Sequence, residues 1–562
     1  MPTITLGNFR GMAPRASPRL IGDNVATHAE NARLDSGMLR GMRAPEHVHT
    51  VTNTSYPRRI FRVQEGDRST WLASREAEAE LVQSPLVNET LDRWYLFEPD
   101  NAPRVIRYDE IEQGVQPYRL RVAPPLEAPS LRYEVGTGND DLKESRVYVI
   151  SYVTEWGEET AASPAATVVT PTDGHVRISN LYSRIYQPLE GRDWEHVRIY
   201  RTVFGENSAE LYFVADVPWG DEYYTDSADP SEIVFNNSSP GPNDMPPDGL
   251  QGPRVHPSGA LVAFKGRDVY FSRPYMPHAW PETYKTSVED KIVGLEVVGT
   301  SVLVFTKGKP AVLYGQQPQA MGLKSFPMAL PCSNYRAIVA MPEGIYYPSR
   351  DGLVLFKPNG PQLLTTGTIS QDEWYREYYS EELVATRHEN TYVAVKPEGD
   401  GFIISQDSSG FSVSKLEGLG GLVDLYKDKW LGVNYIMNNG EVYQWDPPTG
   451  DEITYRWRSK EFFSPEPRNF NAVQAEFVPK PSVYEEGAFG ETLDKTGLDL
   501  RHQIVFRAWA DGQLVSELPL TNGEVHRLQS GYKGSVWQFE IQGQCPLHSV
   551  SISDTVKGLG RG

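Results

Sequence analysis

The sequence predicts an all-β protein: a degenerate β-propeller with an inserted sandwich and a second sandwich at its end. Three observations predict this. Short β-branched and aromatic runs alternate with Gly, Pro, Asp and Asn clusters. A strand–turn–strand theme recurs about every 40 to 50 residues, which is blade spacing. Amphipathic helix patterns are nearly absent.

Residues 1–50 read as an arm. Its run Asn8-Phe9-Arg10-Gly11-Met12-Ala13-Pro14-Arg15 is followed by Leu20 and then Val25 to Pro45. Ala26 to Leu34 is expected to form one short helix ended by Gly37. Pro14, Pro18 and Pro45 forbid a long regular element, so the rest is extended and laid across another surface. Residues 51–123 form a first propeller segment, with strands at Arg59–Val63, Trp71–Ala73, Arg93–Phe97 and Val105–Tyr108.

Residues 124–247 form a separate unit bracketed by Ala123-Pro124-Pro125 and Ser239-Pro240-Gly241-Pro242, with Pro246-Pro247 just beyond. About seven short alternating strands in roughly 100 residues indicate an immunoglobulin-like sandwich. The phrases Tyr148–Glu159 and Val197–Thr202 resemble fibronectin type III modules. Residues 248–460 return to blade rhythm, for example in Leu261–Ser272, Ser301–Thr306, Gly344–Phe356, Thr391–Val395, Gly401–Ser405 and Gly440–Asp446. Residues 461–562 read as the C-terminal sandwich, with strands at Ala472–Phe477, Ile504–Ala510, Ser535–Ile541 and Ser549–Ser553.

Composition narrows the function classes. The 562 residues include 30 Tyr and 12 Trp, ample material for several cores. A net charge of −20 repels phosphate, which disfavours tight or sequence-reading nucleic-acid binding. A conduit for DNA benefits from such walls, because each Lys–phosphate contact acts as a brake. No run approaches the roughly 20 apolar residues of a membrane helix. Met1 to Gly7 lacks the pattern of a secretory signal, so no membrane anchor or secretion is expected. The two cysteines, Cys332 and Cys545, read as buried free thiols, with a pairing of the two as the alternative.

Candidate chemistry reads as structure. Ser405-Gln406-Asp407-Ser408-Ser409-Gly410-Phe411 is close to the Asp-box of glycoside-cleaving propellers, but its Gly falls one place late, so it reads as a hairpin turn. The acidic loops Asn139-Asp140-Asp141 and Asp221-Glu222, the latter with Asp226 and Asp229, lack EF-hand spacing and read as solvated tips. The 11 histidines form no His-x-x-x-His pair or Cys/His cluster, and Leu419-Gly420-Gly421-Leu422 lacks the Lys-Ser/Thr of a phosphate loop. No Gly-x-Ser-x-Gly elbow stands out. No catalytic residue, cofactor or metal is expected.

Between Gly259 and Gly352 the order of phrases resembles the tail tubular or nozzle proteins of short-tailed bacteriophages. The phrases are Val269-Tyr270-Phe271-Ser272-Arg273-Pro274, His278-Ala279-Trp280-Pro281, Val288-Glu289-Asp290-Lys291-Ile292 and Lys309-Pro310-Ala311-Val312-Leu313-Tyr314-Gly315. In the arm, Arg10-Gly11, Pro14-Arg15, Asn31, Leu34, Gly37, Leu39 and Arg43-Ala44-Pro45 are similar to that family's opening phrase. The fibronectin-like insert has no counterpart in the resemblance.

The resemblance implies a virion protein of the tail, assembled in the host cytoplasm. It implies a self-ring, usually of six copies, between a portal-adaptor ring and tail fibre or tip proteins, with genomic DNA passing through unbound. Six copies carry about −120 of formal charge, six times the −20 of one chain. The arm residues Arg10, Gly11, Pro14, Arg15, Leu20, Asn31, Leu34, Leu39, Arg43 and Pro45 are then candidate interface residues. The alternative is a carbohydrate-binding or carbohydrate-cleaving receptor-recognition propeller.

Overall fold

The computed structural model describes residues 3–34, 36–52, 54–86, 89–134, 143–172, 174–182, 189–203, 210–236, 241–407, 410–479 and 504–559. The chain divides into two compact units. One comprises Met1–Phe61, Ala73–Arg75 and Met328–Gly562; the other comprises Arg62–Leu72 and Glu76–Pro327. The chain crosses between them within the hairpin of Arg59–Glu65 and Arg68–Ser74. The all-β expectation holds in both units.

The second unit contains three four-stranded antiparallel meanders among its described residues. They are Glu80–Gln83, Arg93–Phe97, Arg104–Arg107 and Tyr118–Arg119; then Gln251–Val255, Leu261–Lys265, Asp268–Phe271 and Thr286–Ser287; then Ile292–Val298, Ser301–Thr306, Ala311–Tyr314 and Gly322–Ser325. Each strand pairs only with its sequence neighbours, the topology of a propeller blade. The first strands of the three meanders are tied by charge. Arg254 lies 2.6 Å from Glu296 on one side and 3.6 Å from Glu80 on the other.

Between the first and second meanders sits the inserted sandwich. A three-stranded sheet, Ser130–Glu134, His175–Ser179 and Tyr223–Asp226, faces a four-stranded one ordered Ala166–Pro171, Lys143–Thr154, Trp194–Thr202 and Leu211–Pro218. Alternation fills the space between them with Tyr148, Ile150, Val176, Ile178, Val197 and Ile199. A buried ion pair sits in this sandwich: Arg201 and Asp226, 2.5 Å apart, with the Tyr148 hydroxyl donating to Asp226 at 2.7 Å. Trp156 pins the insert to the first meander, lying beneath the guanidinium groups of both Arg93 and Arg192.

The first unit carries three further meanders among its described residues: Val339–Met341 to Gly360–Leu363, Val384–His388 to Gly410–Leu416, and Leu422–Lys427, Asn434–Asn438 and Glu441–Trp445. The last gains its fourth strand from the arm, Glu46–Thr50, antiparallel to Glu441–Trp445. The C-terminal sandwich also borrows from the arm. Thr3–Gly7 pairs with Ser549–Ser553 of the strand Leu547–Ser553, which lies next to Ala472–Phe477 and, beyond it, Val525–Arg527. The facing sheet runs Tyr455–Arg458, Gly534–Gly543, Ile504–Ala510 and Gln513–Leu520.

One correction concerns the arm. Residues Ala26 to Leu34 form no helix; they are three strands, Val25–Ala26, His28–Glu30 and Ala32–Arg33. Asn31, at φ 50°, breaks the run. His28–Glu30 lies between Gly410–Leu416 and Tyr455–Arg458, so a blade sheet and a sandwich sheet become one. Cys332 and Cys545 are both buried and form no disulfide, as expected.

Candidate assembly surface of the N-terminal segment

The arm is held first by its apolar side chains. Leu6, Phe9, Met12, Ala26, Ala29, Ala32 and Leu39 enter the same core as Trp457, Val413 and Val550. The Phe9 ring meets Trp457 edge-on at 5.0 Å, and the Trp457 indole N–H donates to the Arg10 carbonyl at 3.0 Å. Gly11 permits close approach: a Cβ there would stand 2.7 Å from the Val413 carbonyl oxygen. Asn31 accepts from the Glu417 amide through Oδ1 at 2.9 Å, and its own amide donates to the Lys415 carbonyl at 2.9 Å. Leu39 exchanges both backbone hydrogen bonds with Leu547, at 3.0 and 2.9 Å.

Buried carboxylates fasten the return of the arm. Asp446, with no exposed side chain, accepts from Arg33 at 2.9 Å, from the Arg43 amide at 2.8 Å and from His388 Nε2 at 2.9 Å. Asn434 Nδ2 lies 3.2 Å from His388 Nδ1, which assigns the ring proton to Nε2. The same economy recurs at Asp424, which takes Arg59 and Arg336 together with the amides of Ile60 and Leu425. Burial opposes its ionisation, but the two guanidiniums and the amides outweigh it and hold its pKa below the usual carboxylate range.

What stays at the surface is the loop Ala13–Asn24. Arg15 is tied to the Thr368 and Thr366 carbonyls, Pro18 accepts from the Glu461 amide at 3.0 Å, and Asp23 meets Lys460 at 3.0 Å. Arg19 pairs with Glu461 at 3.0 Å and covers the Phe463 ring at 5.3 Å. Leu20 is 84% exposed and Phe463 is 57% exposed. Beside this loop, Met12, Pro14, Ile21, Glu373, Arg376 and Lys415 line a cleft of about 300 Å³. A second cleft, of about 470 Å³, holds Arg43, Pro45, Leu419, Trp445, Glu30 and Glu417. The hydrogen bond from His28 lowers the pKa of Glu30, while burial and the charge of Glu30 raise that of Glu417.

Of the ten arm residues named from sequence, Gly11, Asn31, Leu34, Leu39 and Arg43 pack or bond within this unit. Arg10 gives its backbone to the fold, and Arg15 is exposed but tied at its backbone and guanidinium. Leu20 remains open, and Pro14 and Pro45 line clefts. Phe463 and Arg19 were missed, since their pairing spans more than 440 positions and leaves no local pattern.

The phrases between Gly259 and Gly352 are joints. Trp280 is buried and its amide donates to the Asp244 carbonyl at 2.7 Å; His278, fully buried, contacts the Glu159 carbonyl at 3.2 Å, and burial lowers its pKa. Ser405 to Phe411 is a hairpin with Asp407 opposite Gly410; Ser408 and Ser409 lie outside the described residues. Asn139-Asp140-Asp141 also lies outside them. Asp221 and Glu222 are exposed and Asp229 caps a short helix by accepting from the Ser231 amide at 2.8 Å, but Asp226, read with them as a solvated tip, is buried in its ion pair with Arg201. Among the described residues no group of three His, Cys, Asp or Glu is placed to hold a metal ion.

No protein-family model and no curated protein matches the chain. Among solved structures it is similar to BamB from Moraxella catarrhalis, at 13% identity over 58% of this chain and 100% of that one, with a TM-score of 0.26. It is also similar to Raptor from Chaetomium thermophilum, at 11% identity over 73% of this chain and 29% of that one, with a TM-score of 0.31. PorZ, a surface component of the type-IX secretion system of Porphyromonas gingivalis, aligns at 9% identity over 81% and 72%, with a TM-score of 0.26. These likenesses carry no argument about function.

Proposed function

We propose that this chain is a structural subunit of a short-tailed bacteriophage tail tube or nozzle, a ring-forming wall that retains DNA and then passes it. The observation that supports this most is the weaving of the arm. Residues 3–50 supply strands to a blade, to the C-terminal sandwich and to the sheet that merges them. Such cross-bracing resists local opening, as a wall under load requires.

The buried charges fit the same reading. Asp424, Asp446, Glu540 and Asp226 each take one or two arginines and join segments distant in sequence. None of them is paired with a nucleophile in the arrangement acyl or glycosyl transfer needs. The charge of −20 gives the assembled subunits little hold on DNA. Partners on this reading are further copies, an adaptor ring above and a tip or fibre protein below.

Negative-stain imaging of the purified chain, with antibody labelling of particles, tests the proposal. Rings, and label on the tail axis, are the expected result. A chain that stays monomeric at all concentrations and labels elsewhere, or that releases sugar from a host glycan, refutes it.

A further inference from the structure

The hairpin joining Leu422–Lys427 to Asn434–Asn438 is rigid and ends in apolar side chains. Asp428 is fully buried, and its Oδ1 accepts from the amides of Trp430 at 2.7 Å and Leu431 at 3.1 Å. The Asp428 amide donates to the Val433 carbonyl at 2.9 Å, and the Gly432 amide donates to the Asp428 carbonyl at 3.0 Å. Lys427 anchors the base by donating to the Arg387 carbonyl at 2.7 Å. At the apex Lys429 is exposed, Trp430 is 61% exposed and Leu431 is 53% exposed.

An indole held this way loses little freedom on docking, and tryptophans so placed are enriched among interface hot spots. The second cleft offers a matching receptor. Its lining includes the half-buried Leu419 and Ile453, with Met42 and Trp445 buried behind them, and the carboxylates Glu30 and Glu417. Glu417 is exposed, and it lies near the negative charges of Glu30 and Asp400; Arg43 and Arg456 line the same cleft. A further cation is therefore welcome beside Glu417.

We propose that the Lys429-Trp430-Leu431 apex of one copy occupies the Glu30/Glu417 cleft of a second copy. The indole and leucine cover the half-buried Leu419 and Ile453, and the Lys429 ammonium meets Glu417. This inference rests on the reading of the chain as a self-assembling wall and names the contact. Apex and cleft are different surfaces, so the contact is heterologous and repeats head to tail. A net charge of −20 argues against an anionic lipid surface as the occupant of the apex.

The test uses the full chain. Sedimentation across a concentration series reads self-association, where Trp430→Ala is expected to weaken assembly at least about tenfold. The thermal transition controls for folding, since Trp430 is a surface side chain. Independently, a Lys429→Cys chain and a Glu417→Cys chain are mixed and treated with a short bis-maleimide; the native cysteines are buried. A covalent dimer in the mixture, absent from either chain alone, is the expected result.

Assembly unchanged by Trp430→Ala, or no cross-link in a mixture that assembles, overturns the contact while leaving the ring reading intact. A wild-type chain that never assembles overturns both. Binding of the apex to vesicles of anionic phospholipid, lost in Trp430→Ala, overturns the choice of a second copy.

Discussion

Replacing Asp424 by alanine strips two arginines of their shared counter-ion inside the first unit. Asp424 has no exposed side chain; Arg59 lies 2.9 Å from it, Arg336 bonds it from the other side, and the amides of Ile60 and Leu425 each donate at 2.9 Å. Breaking a buried pair by removing one partner costs about 3–5 kcal/mol. At 1.4 kcal/mol per tenfold, the open population of that unit rises about a hundredfold to several thousandfold. The chain provides its own probe. Its two cysteines, Cys332 and Cys545, are 1% and 0% exposed and both belong to this unit. Thiol labelling under native conditions then reports opening. A labelling rate raised less than about fivefold refutes the assignment of Asp424 as the unit's charge keystone. The sign with pH follows from the lowered pKa of Asp424. Its contribution is fully present above the ordinary carboxylate value, about 4, and is lost as pH falls through the lowered value. Asp424→Ala therefore loses stability less steeply on acidification than the wild type.

Further outcomes follow from other joints. Gly11→Ala places a methyl against the Val413 carbonyl, 2.7 Å from an ideal Cβ, and is expected to cost about 1–3 kcal/mol. Limited proteolysis then cuts earlier in the loop Ala13–Asn24. Asp226→Ala leaves Arg201, 1% exposed, without its carboxylate, at about 3–5 kcal/mol. Hydrogen exchange rises in Lys143–Thr154 and Tyr223–Asp226, while thiol labelling of the first unit stays at the wild-type rate.

The inserted sandwich was legible because its strands alternate cleanly. Tyr148, Ile150 and Tyr152 point inward, and Val197 and Ile199 answer them across the sheet. The outer blade strands were less legible. Thr286–Ser287 and Gly322–Ser325 carry almost no apolar signal, because a neighbouring strand and not a core holds them. The arm misled for a specific reason. Ala26, Ala29 and Ala32 recur at a spacing of three and are all buried, which reads as one helix face. In the structure each belongs to a separate short strand, and the left-handed Asn31 restarts the chain between the last two. The small side chain answers close sheet packing on every visit. At the candidate assembly surface, Arg15 and Leu20 were named from sequence within a Pro-rich arm, and both are exposed. The partners of Arg19 in the same loop, Glu461 and Phe463, lie more than 440 positions away in the sequence.

This separation has a consequence for folding. Thr3–Gly7 and His28–Glu30 pair with strands that lie more than 380 positions later, so the C-terminal sandwich closes only after late, non-local contacts form. Until then Leu547–Ser553 and Tyr455–Arg458 each present an unpaired edge, a template for association between chains. A chain lacking residues 1–50 is therefore expected to aggregate, since Leu6, Phe9 and Leu39 also leave the core. A peptide spanning residues 1–52, supplied during refolding, should restore solubility, because its strands add to edges already in register. Light scattering of the refolding mixture measures this. If the shortened chain stays dispersed without the peptide and unfolds at the wild-type temperature, the arm is an ornament and not a brace.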